Sequence, residues 1–242
     1  MTRPTPRRRP LRPTALPLAA LLAAAASTAR AQDVGSTPAE SPFRDIVYRQ
    51  EMTAFGGYYA ASEDPVGVAP QSGPMFGLRY EIRLGGPAQF YARAAVARSE
   101  RTVIDPTKAP DERTVGTDRL ALGLLDVGIS MNLTGQKSWH HLVPVVAGGL
   151  GVATSFEGED AGGYRFGTPF ALTFGGGVRW VPGGRFQLRA DITDHLYQIR
   201  YPGTYYTPPA TGVPAVLTPS QKQNVWKHNA ALTVGFSYLF WR

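Results

Sequence analysis

The chain has 242 residues, enough for one sizeable domain, and its lack of cysteine excludes a disulfide framework, a thiolate metal site and a lipidated N-terminal cysteine. Charged residues make up only 18%, below the roughly 25% of soluble domains, while 27 glycines and 21 prolines imply many turns and strands that bend. The net charge of +7 does not point to nucleic acid: residues 1–31 hold six arginines and no acid, and without them the remainder carries +1.

In chain order, the first element is an address. A basic stretch from Arg3 to Arg12 precedes an apolar run from Ala15 to Ala26, followed by the small–x–small triplet Ala29-Arg30-Ala31. That order predicts a secretory signal peptide over 1–31, cleaved after Ala31 so that the exported chain begins at Gln32. The apolar run is too short for a membrane helix, which needs about 20 residues. Residues 32–48, rich in small and polar side chains, predict a loosely ordered N-terminal periplasmic segment.

From residue 49 onward no apolar stretch is long enough for a membrane helix, and the recurring signal is alternation with period two. Between Phe76 and Leu84 every even residue is apolar, while Arg79, Glu81 and Arg83 share the other face. The same rhythm returns in Phe170–Trp180 and Phe186–Ile192, and again in the last strand. There Leu232, Val234, Phe236, Tyr238 and Phe240 oppose Asn229, Thr233, Gly235 and Ser237. The pattern predicts eight strands, near 50–62, 75–84, 88–98, 119–133, 141–156, 168–181, 185–198 and 225–241. The fourth changes phase at Leu124 and Leu125, which predicts a bulge. Pro144 in the fifth cannot donate to a ladder and leaves that strand's boundary soft.

The links between strands alternate in length. Short ones follow strands two, four and six (85–87, 134–138, 182–184), and long polar ones follow strands one, three, five and seven (63–74, 99–118, 157–167, 199–224). If every link is a hairpin, all short turns lie at one end, as in transmembrane barrels of outer membranes. The expected fold is therefore an all-β, eight-stranded antiparallel up-and-down transmembrane β-barrel over 49–242. A soluble barrel of lipocalin type competes, because alternation does not say which face points inward. Three features tip the choice, the first being that the four clearest strands hold no lysine except Lys227 at the edge of the last, where a water-facing surface would carry many. Aromatics gather at strand ends (Tyr58, Tyr59, Trp139, Phe170, Trp180, Phe186, Tyr238, Phe240, Trp241), where membrane interfaces would lie. The polar faces carry a few charges of both signs, which suit a narrow lumen where each buried charge needs a partner. The expected lumen charge network is Arg79, Arg83, Arg93, Arg179 and Arg189 with Glu81, Asp126 and Asp191.

The last strand, Thr233 to Phe240, has a polar residue, a glycine two later, then aromatics three and five beyond it. It resembles the C-terminal signal of outer-membrane barrels, although Trp241 and Arg242 follow the aromatic on which that pattern usually ends. The segments AFGGYY (54–59), PVVAGGLGV (144–152) and FQLRAD (186–191) are similar to the outer-membrane β-barrel domain family, the small barrels of the OmpA and OmpW type. The resemblance covers about residues 50–242. It implies residence in the outer membrane of a Gram-negative-type bacterium, contact with membrane lipid and lipopolysaccharide, and insertion by the barrel-assembly machinery. In that insertion Thr233, Gly235, Tyr238 and Phe240 would form the assembly signal. It implies no obligatory cofactor, and roles ranging over structural anchors, adhesins and conduits.

Residues able to carry chemistry are few. His140 and His141 occupy a short turn with no spacing to a third metal ligand, so no metal site is expected. His195, near Asp191 and Asp194, has no serine close in sequence. No catalytic site is expected, and His195 would be the first residue to test. The glycine runs 175–177 and 148–149 lack the following helix and lysine of a phosphate cradle. Loop 199–224, with Tyr201, Tyr205, Tyr206 and neighbouring Trp226, is the expected contact for a surface partner or small hydrophobic ligand. The expected role is structural or surface interaction. The alternatives are a narrow conduit for small hydrophobic molecules and a lipid-modifying enzyme.

Overall fold

A computed structural model describes residues 41–155 and 158–240. The predicted signal peptide, most of the N-terminal segment, and Trp241 lie outside the described residues. Ten strands follow in order: β1 (Phe43–Asp45), β2 (Gln50–Ala60), β3 (Gly73–Gly85), β4 (Ala88–Ile104), β5 (Thr114–Asn132), β6 (Lys137–Trp139), β7 (Leu142–Thr154), β8 (Phe170–Gly183), β9 (Phe186–Arg200) and β10 (Asn224–Phe240). Eight of them, all except β1 and β6, form a closed antiparallel barrel in which each strand pairs with the next and β10 returns to pair with β2. All eight match predicted strands to within a few residues, except that β4 and β5 run further at the long-loop end. Closure satisfies the backbone without leaving a sheet edge along the wall.

The period-two pattern becomes an inside and an outside. Along β10, Leu232, Val234, Phe236 and Tyr238 are exposed, while Ala231, Thr233, Ser237 and Leu239 are buried. The same holds on β8, where Leu172, Phe174 and Trp180 face out and Thr173 and Arg179 face in. The apolar face is the outer one. Tyr58, Phe170, Trp180, Phe186 and Tyr238 sit on that outer face, as predicted for interfacial aromatics, and Trp139 is exposed on β6, outside the wall. Tyr59 departs from the prediction: it is 0% exposed and its hydroxyl meets that of Tyr197 at 2.5 Å. It follows Tyr58 directly, so the pleat turns it inward.

Three further departures have physical causes. The phase change in β5 is no bulge, because its register with β4 runs unbroken from Ala88↔Met131 to Val103↔Gly116. Leu120, Leu122 and Leu124 all point inward on the same phase as Asp126 and Ser130. The lumen itself changes character: its long-loop half is apolar, formed by Met75, Ala97, Leu122, Leu124, Ala153 and Ala231 among others. The predicted loop 99–118 shrinks to 105–113, since β4 and β5 keep pairing to Ile104↔Thr114 after their apolar alternation has ended. The predicted loose segment 32–48 is partly ordered, because Phe43–Asp45 pairs with Lys137–Trp139 and forms a ribbon at the short-turn end.

That ribbon turns into β7 through His140 and His141, whose φ angles are 48° and 66°. Two left-handed residues fit a two-residue hairpin of the primed type, so this pair is a turn device. At the opposite end the long links pack over the barrel mouth. The Asp64 carboxylate accepts the Tyr201 hydroxyl at 2.6 Å and the amides of Val66 and Ala69 at 3.2 and 2.8 Å. Asp160 accepts Arg101 at 2.7 Å and the amides of Gly162 and Tyr164, both at 2.9 Å. Val68, Tyr164, Tyr205 and Leu217 are buried beneath, continuous with the apolar half of the lumen. A 3-10 turn, Gly203–Tyr206, presents Tyr205 to this core.

Candidate functional site

The short-turn half of the lumen is filled by ionisable side chains. Glu81, 1% exposed, stands at the centre. One of its oxygens accepts Arg79 Nη2 at 2.6 Å and Ser130 Oγ at 2.8 Å, and the other accepts Arg189 Nη1 at 2.5 Å together with Arg179 Nη2. Glu51 lies within 3.3 Å of Arg179 and 3.5 Å of Arg189, and accepts Gln187 at 2.6 Å. Arg189 also donates to Asp191 at 2.5 Å. One step toward the loops, Arg93 grips Asp126 bidentately at 2.8 and 3.0 Å and reaches Thr193 at 3.1 Å. Such forked pairs are among the stronger hydrogen bonds a protein makes. Tyr91 lies between the two groups, its ring centroid 4.0 Å from the Arg79 guanidinium and 5.9 Å from that of Arg93. Gly128 and Gly149 make that possible, since a Cβ on either would collide with the Tyr91 ring or hydroxyl.

Seven of the eight expected network residues therefore line this half of the lumen, five in the group around Glu81, and Arg93 with Asp126 as a pair on the far side of Tyr91. Arg83 does not join them: its guanidinium donates to the Ile46 carbonyl at 2.8 Å, at the short-turn mouth. Glu51 was not foreseen. It shares the polar phase of β2 with Thr53, but Arg49 and Gln50 precede it, and alternation is unreadable where a strand begins. With Glu51 included, the four arginines 79, 93, 179 and 189 face the four acids 51, 81, 126 and 191.

The pairing register gives this balance an unusual form. Three directly opposed pairs carry like charges, Glu51↔Glu81 between β2 and β3, Arg79↔Arg93 between β3 and β4, and Arg179↔Arg189 between β8 and β9, whereas Arg93↔Asp126 between β4 and β5 joins opposite charges. Like charges directly opposite destabilise a ladder locally. Here the acidic pair is neutralised across the lumen by the basic pair of β8 and β9.

The histidines are dispersed. His195 points into the lumen, 1% exposed, with no hydrogen-bond partner for Nε2. Its chain neighbour Asp194 faces outward and meets His228 Nδ1 at 2.5 Å, with Phe174 edge-on to that ring. Among the described residues no hydroxyl is bonded to either histidine, and no cluster of three metal-binding side chains occurs. The aromatics of loop 199–224 divide. Tyr201 and Tyr205 are buried in the cap, Tyr206 packs half-buried against it with its hydroxyl covered, and Trp226 remains exposed. Burial pushes the Tyr164, Tyr201 and Tyr205 phenols upward, and Asp64 adds to the shift at Tyr201 by accepting a hydrogen bond from its hydroxyl. In β10, Thr233 and Gly235 face the lumen, while Tyr238 and Phe240 lie on the outer phase with rings stacked at 6.3 Å.

The class of molecule is thereby defined as a closed eight-stranded barrel with an apolar wall and a filled lumen, charged in its short-turn half and apolar in its long-loop half. No protein-family model matches the chain, and no curated protein sequence is similar to it. Solved structures resemble it loosely. Neisserial surface protein A (NspA) shares 15% identity, with 79% of this chain and 97% of that one covered and a TM-score of 0.46. The outer membrane protein OprG from Pseudomonas aeruginosa shares 12%, with 81% and 98% covered and a TM-score of 0.48. Ail, the attachment invasion locus protein of Yersinia pestis, shares 16%, with 80% and 100% covered and a TM-score of 0.39. At these identities the likeness is one of fold.

Proposed function

We propose that the chain is an outer-membrane barrel of a Gram-negative-type bacterium with a structural or surface-interaction role, acting through its wall and loop cap rather than through a pore. An outer face of leucine, valine, phenylalanine and tyrosine around a charged lumen suits hydrocarbon, not water. The observation that carries the reading is the filled lumen. Two cavities beside the charge network hold about 10 Å³ each, roughly the room of a single water. A conduit would ask for a gap between strands, yet each of the eight seams carries a ladder of at least ten residue pairs. The barrel-assembly machinery would read Tyr238 and Phe240 on the outer phase of β10. Cell fractionation should find the protein in the outer membrane, and purified barrels in planar bilayers should show no steady ion conductance. Stable conducting steps would overturn the sealed-barrel reading.

A further inference from the structure

The outer wall is not uniformly studded with large side chains. Along β4 the outward row runs Phe90, Ala92, Ala94, Val96, Arg98 and Glu100. Its two alanines lie between Leu78 on β3 and Leu125 and Val127 on β5. Two contiguous grooves result, of about 480 and 610 Å³, which share Leu78, Ala94 and Leu125 and are almost wholly apolar. They form one trough along β4 that rises toward the long-loop end. Where the apolar row stops, the Arg98 guanidinium lies 5.8 Å from the ring centroid of Phe76, itself part of the trough wall. Arg119 on β5 stands one diagonal step beyond, opposite Glu100 in register. Both arginines are exposed, and neither has an ion-pair or hydrogen-bond partner among the described residues, Glu100 included. Two unpaired cations at the head of an apolar trough are complementary to an anionic headgroup with an alkyl tail.

We propose that this trough seats one acyl chain of a phosphate-bearing membrane lipid, whose phosphate is held by Arg98 and Arg119. The proposal rests on the outer-membrane reading above. Guanidinium suits phosphate because its planar fork donates two parallel hydrogen bonds. A chain lying between Leu78 and Leu125 gains contacts that the flush parts of the wall do not offer. Glu100, on the water side of Arg98, disfavours a second anion and confines the phosphate to the membrane side.

The test uses the full exported chain, refolded into phosphatidylcholine vesicles and transferred to detergent for native mass spectrometry. It compares added dimyristoyl phosphatidic acid with the matching diacylglycerol. The wild-type barrel should retain one phosphatidic acid in preference to diacylglycerol. The double variant Arg98→Gln/Arg119→Gln should weaken that retention about tenfold. Ala94→Trp should abolish it by filling the trough, while Val178→Trp, on the outward face of β8, should leave it intact. Equal retention of the two lipids, or indifference to both trough variants, would overturn the seat while leaving the barrel in its membrane. Efficient disulfide crosslinking of Ala94→Cys barrels to one another in the vesicles would also overturn it, by making the trough an interface between copies. A chain that never enters vesicles would remove the membrane reading, and the seat with it.

Discussion

Glu81 takes hydrogen bonds from side chains of four strands: Arg79 on its own β3, Ser130 on β5, Arg179 on β8 and Arg189 on β9. Removing its charge as Glu81→Gln leaves three buried guanidiniums short of a counter-ion and should cost about 3–5 kcal/mol. Ser130→Ala removes one neutral donor and should cost about 1 kcal/mol. Urea unfolding in lipid vesicles checks both, and equal effects would deny Glu81 its central place. A second residue-scale prediction concerns the cap. Burial raises the Tyr164, Tyr201 and Tyr205 phenols above their ordinary value, which is about 10. An opened loop would ionise at that ordinary value, whereas the packed loop holds its protons. The cap's stabilisation is therefore complete below about pH 10 and is lost as the pH climbs beyond it. Proteolysis of residues 61–72 and 201–223 should accelerate above that pH, while the barrel keeps its heat-resistant mobility on gels. Cap cleavage that is flat with pH would contradict this account.

At the scale of the strand, the face assignment is open to a direct test. Leu172 and Leu188 face outward, and Thr173 and Gln187 face the lumen. Arginine at Leu172 or Leu188 should cost about 2–4 kcal/mol near the bilayer midplane and impair insertion. Arginine at Thr173 or Gln187 meets Asp126 or Glu51, the present partners of those side chains, and apart from crowding in the narrow lumen should be better tolerated. Tolerance at the leucines with collapse at the polar pair would mean an inward-facing apolar wall. The strands were legible because alternation is local: two or three apolar–polar cycles identify β8 or β9. The sense of the faces was legible only indirectly, from sparse charges of both signs. What was not legible depends on groups distant in sequence. Leu120, Leu122 and Leu124 looked out of phase because nothing near them in the chain announces an apolar upper lumen. Tyr201 looked like a surface contact because its partner, Asp64, is 137 positions away. Glu51 was hidden at a strand start, where its partners belong to the opposite wall.

For the molecule as a whole, the two ends differ in kind. One carries tight turns and the β1–β6 ribbon, while the other carries the four long links and the β4–β5 hairpin, which rises above the seam where β5 meets β7 at Gly123↔Thr154. A protease applied to intact cells should cut within 105–113 or 207–222 and spare 86–87 and 184–185, as sequencing of the fragments would show. Cuts confined to the short turns would invert the orientation. The like-charged neighbours bear on how such a molecule comes to exist. A hairpin of β2 and β3 forming alone brings Glu51 against Glu81, and one of β8 and β9 brings Arg179 against Arg189. Within each hairpin Arg79 offsets part of the acidic pair and Asp191 part of the basic one, and the remaining repulsion is relieved when the two walls face each other and the β2–β10 seam zips. A partly assembled sheet is thus less well neutralised than the finished cylinder. Assembly should be all-or-none, and once closed the barrel should be slow to come apart, because the first seam to open turns attraction across the lumen back into repulsion along it.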